Sequence, residues 1–341
     1  MARKMSTKPW AIQLEYDDPA NWLFYDSEEG GYQGETWSTH ELLWRLGFEL
    51  PNDDGRLWDE LVRHIDPSFW CKRHPYGVNG AELAQYSWER FSEITKHKRR
   101  FFFREDSTHD HDLLGPEEIL TRIIRYAGDV GLFRYLPSDM VLYRARQCTG
   151  GESFTTFQEL GPPPLARCNK SNRMSPAGIV MFYCSDSAET ALRETAKGFG
   201  TFSVGRFSAR RPVAVLDLTN LPAIPSLFAA IPDTAEVRPR DAVRFLHQVA
   251  EAISAPIAPD SNEHIEYVPT QIVTEFVRSN ALFKGRAIDG IRFESARHPG
   301  RSSLVLFATQ DNFVGAGPSL AGVDQWLELV GMTNETVAPQ C

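Results

Sequence analysis

Residues 179–194 read IVMFYCSDSAETALRE, and this stretch decides how the second half of the chain is interpreted. The apolar run 179–183 is typical of a buried strand, and it ends at an aromatic side chain, Tyr183. The polar residues 184–187 offer several side chains that can cap a helix. Residues 187–196 then predict a short helix that carries a carboxylate, Glu194. The stretch therefore indicates a strand that leads directly into a helix.

The composition indicates an ordinary globular protein. The chain has 341 residues, of which 42% are hydrophobic and 24% charged, so it is long enough for two domains of roughly 150 residues each. The net charge of −9 does not favour nucleic acid as a partner, because nucleic-acid-binding domains are usually basic. One basic run, residues 96–100, is interpreted as the solvated end of a helix.

The cysteines and the apolar runs favour a cytoplasmic location. The five cysteines are odd in number and widely spaced, which argues against a disulfide framework: Cys71, Cys148, Cys168, Cys184 and Cys341. Reduced thiols fit the cytoplasm. The N-terminal sequence lacks the apolar segment of a secretory signal, and no run approaches the roughly 20 apolar residues of a membrane helix. We therefore expect no membrane partner.

Standard cofactor and metal motifs are missing from the sequence. No phosphate-binding glycine loop, H-E-x-x-H motif or G-x-S-x-G elbow occurs. His109 and His111 are interpreted as parts of a polar loop, and Cys71 with His74 lacks a second pair of ligands. We therefore expect no metal.

The pattern of apolar residues divides the chain into a helical part and a β-rich part. The first third predicts helices at 39–46, 57–65, 81–94 and 119–127, the last opened by Pro116. Residues beyond 140 predict strands at 141–145, 153–157, 179–183, 201–206, 213–218 and 304–307, and helices at 187–196, 241–253, 269–280 and 323–330. The fold class is therefore α+β, with a helical N-terminal domain followed by a mixed-sheet domain. We place the domains at 1–136, 137–310 and 311–341, the last a C-terminal extension.

Polar residues beside these strands are candidates for a functional site. Arg144 and Arg146 lie on one face of a strand, since side chains alternate. An inward-facing arginine needs an anion, because it cannot shed its charge. Arg173 stands in a turn of Asn, Ser, Pro and Gly, and Ser295 follows an apolar strand.

These pieces, in this order, resemble the RES domain, a family named for its Arg, Glu and Ser residues. The resemblance covers about residues 138–310. It rests on Tyr143-Arg144, the turn NRMSPAG at 172–178, Tyr183, TALRE at 190–194, YVPTQ at 267–271 and DGIRFES at 289–295. The sequence departs from the family pattern at Met174-Ser175 and at Glu294, which could alter the pocket wall.

The resemblance implies an ADP-ribosyltransferase-like fold and a toxin of a toxin–antitoxin pair that degrades NAD. The implied reaction cleaves the bond between nicotinamide and ribose, with NAD as substrate and water or phosphate as acceptor. It assigns catalysis to Glu194, Arg144, Tyr183 and Ser295. It assigns NAD binding to Arg144, Tyr143, Arg173, Tyr183 and Gln271, with Arg146 as a further pocket residue.

The roles of the N-terminal region and of partners stay open. The helical region resembles the segment that precedes some RES domains and has been likened to HEPN domains. HEPN ribonucleases carry R-x(4–6)-H, which Arg104 with His109 and Arg90 with His97 fit, but a structural or partner-binding role is preferred. Alternatives for the whole chain are ADP-ribosyl transfer to a macromolecule and a non-catalytic interaction module. An antitoxin and a second copy of the chain remain open as partners.

Overall fold

The chain divides into two compact units, comprising residues 1–84, 110–113 and 225–241 in the first and the remainder in the second. The computed structural model describes residues 11–13, 23, 25–28, 30–45, 55–65, 69–72, 80–103, 114–137, 139–149, 151–196, 198–226, 239–256, 262–315 and 324–337.

The described part of the first unit combines short strands with helices. Its elements are β1 Ala11–Gln13, β2 Tyr25–Asp26, β3 Gly31–Tyr32, β4 Thr36–Ser38, α1 Thr39–Arg45, α2 Arg56–His64 and β5 Phe69–Lys72. The strands β1, β5 and β4 form an antiparallel sheet. The indole of Trp70 donates a hydrogen bond of 2.9 Å to the buried hydroxyl of Thr39, which ties this sheet to α1.

Helix α3, Gly80–Glu93, continues into a π-helical turn, Ile94–Lys98. The remaining elements are α4 Pro116–Asp129, β6 Phe133–Tyr135, β7 Val141–Gln147, α5 Phe157–Leu160, β8 Phe182–Ser185, α6 Ala188–Thr195, β9 Gly200–Ala209, β10 Ala214–Asp217, α7 Pro239–Ser254, α8 Glu263–Glu266, α9 Val268–Asn280, β11 Leu282–Phe283, β12 Arg286–Ala287, β13 Gly290–Glu294, β14 Ser302–Leu306 and β15 Leu327–Val337.

A mixed sheet organises the second unit. Among the described residues it has eight strands in the order β15-β9-β7-β8-β14-β13-β10-β6. The β10–β13 pair is parallel and the other pairs are antiparallel. One face buries a cluster of aromatic rings, in which Phe182 packs edge-to-face on Phe207 and Phe313 with centroids 5.0 and 5.3 Å apart. Such burial is the main source of stability in a sheet of this size.

Helix α6 lies on the opposite face, over β7 and β9. The contact uses small and β-branched side chains, with Ala191 of the helix packed against Ala145 and Val204. These short side chains let the helix backbone approach the sheet closely. Ser187 caps the helix by accepting a hydrogen bond of 3.2 Å from the backbone N–H of Thr190, as expected for the polar run before it.

The α+β class is confirmed, and so are the predicted helices other than 323–330, to within a few residues at each end. Four expectations are wrong. The strand predicted at 179–183 is observed at Phe182–Ser185, so Tyr183 lies inside the strand and not at its end. The first unit contains a small sheet that the sequence did not predict. Residues 153–157 form no strand, because Thr156 and Glu159 make a reciprocal capping box that starts α5. Residues 323–330 were predicted as a helix, but those from Leu327 onward begin the strand β15.

The strand β15 forms one edge of the sheet, and its first residue belongs to the core. It pairs with β9 over almost its whole length, and Trp326 and Leu327 are buried in the aromatic cluster. The sheet therefore extends beyond residue 310, whereas the domain limits of the sequence analysis stay predictions.

The burial of Leu327 gives the first prediction. We expect Leu327→Ala to lower the free energy of unfolding by about 2–5 kcal/mol, because it leaves a cavity in a packed core. Val330→Ala on the same strand is the matched control, since Val330 is 43% exposed. Urea unfolding of the full chain measures both. Equal effects of the two substitutions would contradict the core role of β15.

Candidate active site

Two residues predicted from separate motifs meet directly. The hydroxyl of Ser295, just after β13, donates a short hydrogen bond to the carboxylate Oε1 of Glu194, near the end of α6. The same hydroxyl accepts a hydrogen bond of 3.1 Å from the backbone N–H of His298. The two residues are 101 positions apart in sequence. The fold thus places a hydroxyl and a carboxylate side by side.

Tyr183 lies beside the turn at residues 172–178 that the sequence analysis singled out. Its hydroxyl accepts a hydrogen bond of 3.2 Å from the backbone N–H of Met174 and is 3.0 Å from the hydroxyl of Ser175. Burial raises the pKa of Tyr183 to about 12. The phenol is therefore protonated at neutral pH, and its hydroxyl is already engaged by the turn.

Helix α9 holds this turn in place. Gln271 donates from its amide nitrogen to the hydroxyl of Ser171 at 2.8 Å and to the carbonyl of Asn172 at 2.7 Å. Thr270 donates to the carbonyl of Arg173 at 2.5 Å. Gln271 is thus placed against the turn, and its amide nitrogen already has partners there.

Arg173 joins the turn to the end of α7. Its Nη1 donates to the carbonyl of Ile253 at 2.9 Å and makes a shorter bond to the carbonyl of Ala255. An arginine suits this position, because the last carbonyls of a helix lack partners within the helix. Burial lowers the pKa of Arg173, while Tyr267, Glu194 and Tyr183 act in the opposite direction.

Arg144 carries a buried charge without a counterion. Its Nη1 is buried and makes no hydrogen bond, and within the described residues no carboxylate forms an ion pair with its guanidinium. The guanidinium lies over the ring of Phe182, with its carbon 5.6 Å from the ring centroid. Burial lowers the pKa of Arg144 to about 10, since a charge is costly away from water. A buried cation of this kind favours an anionic ligand.

The position of Arg144 coincides with an opening between strands. Within the described residues, β7 and β8 are joined by a single residue pair, Tyr143 with Ser185. The next residue along β7 is Arg144, which pairs with Gly205 of β9 on its other side. The guanidinium therefore lies where β7 and β8 separate.

The other arginine of this strand and the preceding tyrosine have different surroundings. Arg146 is exposed, donates to the carbonyl of Glu159 at 2.6 Å and stacks over Phe154. Tyr143 packs beside Ala191 and Leu192 of α6, on the other face of the sheet. Tyr143 thus supports the helix that carries Glu194.

Electrostatic interactions link the predicted residues into one neighbourhood. Tyr183 interacts with both Arg144 and Arg173, and Arg173 interacts with Glu194. Ser295 joins the group through its hydrogen bond to Glu194. Tyr183, Arg173, Glu194 and Ser295 therefore lie in one neighbourhood beside the 172–178 turn. Arg144, on the sheet face that carries Phe182, adjoins this neighbourhood through Tyr183.

The remaining candidates of the sequence analysis are less informative. His74, Arg104, His109 and His111 lie outside the described residues. Arg90 and His97 are described, on α3 and in the π-helical turn, and no hydrogen bond joins them within the described part of the chain. No group of three or more His, Cys, Asp or Glu residues with the geometry of a metal site occurs among the described residues, and the expectation of a metal-free site stays a prediction.

A comparison with protein families matches residues 126–326 to the RES domain. The chain belongs to the RES domain family. Residues 5–109 match HEPN/RES N-terminal domain 1, which agrees with the expected N-terminal domain. Searches of curated proteins and of solved structures gave no significant match. The RES family is linked to enzymes that act on NAD.

In the described residues, no helix is both long and apolar enough to cross a membrane.

One residue in contact with the candidate site, His298, was not singled out by the sequence analysis. His298 contacts both the Ser295 hydroxyl, through its backbone, and Thr190 of α6, through its ring. The available signal was the sequence SARHPG, in which a histidine and a turn follow Ser295 by three residues. Only the fold shows that this turn lies against α6.

The buried phenol gives a prediction. We expect Tyr183→Phe to cost about 1–3 kcal/mol of unfolding free energy, because the buried N–H of Met174 loses its acceptor. The folded-state pKa is raised from 10.0 to about 12. The stabilisation by the phenol is therefore complete below pH 10 and falls as the pH rises toward 12.

Urea unfolding at about pH 8 and about pH 10.5 measures this dependence. The difference in unfolding free energy between the wild type and Tyr183→Phe should be smaller at the higher pH. Tyr135→Phe is the control, since Tyr135 is 39% exposed. A pH-independent difference would mean that the Tyr183 phenol is not shielded from water.

Proposed function

We propose that this RES protein cleaves the bond between nicotinamide and ribose in NAD, with water or phosphate as acceptor. The contact between the Ser295 hydroxyl and the Glu194 carboxylate carries the proposal. A carboxylate fixed by a neutral hydroxyl suits a reaction that develops positive charge on a sugar carbon. We further propose that the activity serves a toxin of a toxin–antitoxin or defence system.

The chemistry gives Glu194 and Ser295 defined roles. When the C1′–N bond breaks, its electron pair leaves with nicotinamide and the ribose gains oxocarbenium character. The Glu194 carboxylate stabilises this charge or holds a ribose hydroxyl. An oxygen of water or phosphate then bonds to the same carbon. Water releases its extra proton to the solvent, whereas a phosphate oxygen that is already deprotonated releases none. Ser295 orients the carboxylate and can itself bond a ribose hydroxyl or the nicotinamide amide.

Arg144 supplies the anion-binding part of the proposed site. The pyrophosphate of NAD is negatively charged, and a guanidinium matches phosphate oxygens with two parallel donors. The Nη1 atom of Arg144 is buried without a hydrogen bond in the described structure, so a bound phosphate would satisfy it. This pairing would also offset the cost of the buried charge.

Tyr183, Arg173 and Gln271 would complete the NAD pocket. The hydroxyl of Tyr183 is engaged by Met174 and Ser175, which leaves its ring face for stacking on a base or on nicotinamide. Arg173 uses Nη1 for backbone carbonyls, and in the described residues its other guanidinium nitrogens make no hydrogen bond. Gln271 shapes the pocket wall by fixing the turn.

Product analysis tests the proposal. Purified full-length protein is incubated with NAD, with and without phosphate, and nicotinamide and the ribosyl product are quantified. Free ADP-ribose indicates water as acceptor, and a phosphorylated ADP-ribose indicates phosphate. Label transferred from NAD to a macromolecule would favour the alternative of ADP-ribosyl transfer. Folded protein that releases no nicotinamide under either condition contradicts the proposal and leaves an interaction module.

The role of Glu194 predicts a loss of catalysis with retained folding. We expect Glu194→Gln to lower kcat for nicotinamide release by about 100-fold or more, because the neutral amide does not stabilise the oxocarbenium charge. Glu189→Gln is the matched control on the same helix, since Glu189 is exposed and pairs with Arg193. Thermal unfolding checks that both variants fold. Similar kcat values for the two variants would remove Glu194 from the mechanism.

The role of Arg144 predicts a loss of affinity instead. We expect Arg144→Ala to raise KM for NAD at least about tenfold, as expected for a lost charge-assisted hydrogen bond. Stability should be unchanged or higher, because removal of an unpaired buried charge relieves a desolvation cost. Arg206→Ala on the neighbouring strand β9, whose side chain is exposed, is the control. A destabilised Arg144→Ala variant with unchanged KM would indicate a structural role.

A further inference from the structure

A hydrogen bond outside the predicted site joins the Ser295 turn to helix α6. The hydroxyl of Thr190 on α6 is 2.9 Å from Nδ1 of His298. Thr190 is fully buried, and the side chain of His298 is only 17% exposed. This contact bridges 108 residues of sequence. Because it joins residues so far apart in sequence, this buried hydrogen bond fixes the position of the Ser295 turn relative to α6.

The Thr190 end of this contact is itself anchored. The hydroxyl of Thr190 is 2.7 Å from the hydroxyl of Ser187, the N-cap of α6, which also accepts the backbone N–H of Thr190. The Nε2 atom of His298 lies 3.9 Å from the carboxylate of Glu189, too far for a hydrogen bond. Among the described residues, the hydrogen-bond partner of the imidazole is therefore Thr190.

His298 also contacts Ser295, which is hydrogen-bonded to Glu194. Its backbone N–H donates to the Ser295 hydroxyl at 3.1 Å, and the hydroxyl proton is thereby directed to Glu194. A second bond ties the same turn to the other end of α6, where Arg297 donates to the carbonyl of Ala196 at 3.1 Å. The turn thus contacts the helix on both sides of Glu194.

We propose that His298 is a positioning residue for the NAD-cleaving reaction. Its imidazole, held by Thr190, fixes the turn at residues 295–298 so that the Ser295 hydroxyl orients the Glu194 carboxylate toward the ribose. The inference rests on the proposed function for its catalytic consequence. The Thr190–His298 bond itself is a property of the fold, so it can be measured independently of the reaction.

Two deletion variants and two conservative variants test the proposal. His298→Ala and Thr190→Val each remove the hydrogen bond, and both should lower kcat about tenfold or more with little change in KM, because a small misplacement of catalytic groups is costly. His298→Asn retains a polar atom near the position of Nδ1, and Thr190→Ser retains the hydroxyl. Both conservative variants should keep kcat within about threefold of the wild type.

The double variant His298→Ala/Thr190→Val should lower kcat no further than either single variant, because one shared interaction is lost only once. Arg301→Ala is the control, since Arg301 lies in the same turn with an exposed side chain. Unchanged kcat in His298→Ala, or an Asn variant as slow as the Ala variant, overturns the proposal.

Amide hydrogen exchange separates this proposal from the proposed function. Exchange at residues 295–301 should be faster in His298→Ala and Thr190→Val than in the wild type or Arg301→Ala, because the turn loses its tie to α6. Wild-type protein that releases no nicotinamide contradicts the proposed function, and exchange then decides alone whether His298 holds the turn. Unchanged exchange in both variants overturns the positioning role even in an active enzyme.

Discussion

The hydrogen bond between Ser295 and Glu194 depends on most of the architecture around it. Glu194 reaches the site because small side chains let α6 pack closely on β7 and β9. Ser295 reaches it because β13 lies two strands from β8 in the same sheet. Neither segment could fix this contact alone, since the residues are 101 positions apart. The hydrogen bond between Ser295 and Glu194 therefore forms only when the sheet and α6 are correctly assembled.

The polar groups of the candidate site differ in whether they have hydrogen-bond partners. The hydroxyl of Tyr183 and the amide nitrogen of Gln271 both find hydrogen-bond partners in the 172–178 turn. Arg144, in contrast, carries a buried nitrogen without a partner in the described structure. Buried polar groups are normally paired, so an exception identifies a place where a ligand can supply the missing partner.

The sequence predicted the regular part of this fold because local patterns determine it. Helices such as α4 and α7 follow from apolar periodicity. The passage from a strand into α6 follows from an apolar run before polar capping residues, although the strand ends at Ser185 and not at Tyr183. The strand β15 was missed because its pairing with β9 is a long-range interaction that leaves little trace in the order of its residues. The same limit applies to His298, whose contact with Thr190 appears only after the sheet is assembled.

Charged side chains next to the site, of which Asp217 is buried and Asp186 and Arg292 are partly buried, help to keep the strands there in register. Asp186, between β8 and α6, accepts hydrogen bonds from the backbone and the hydroxyl of Ser302 at 3.1 and 2.8 Å. Arg292 of β13 donates to the same hydroxyl at 2.9 Å, and also lies 3.5 Å from the buried carboxylate of Asp217. Charges at this depth contribute little net stability, because their desolvation offsets their attraction. They do penalise any shift of β13 against β8, and such a shift would separate Ser295 from the helix that begins immediately after Asp186.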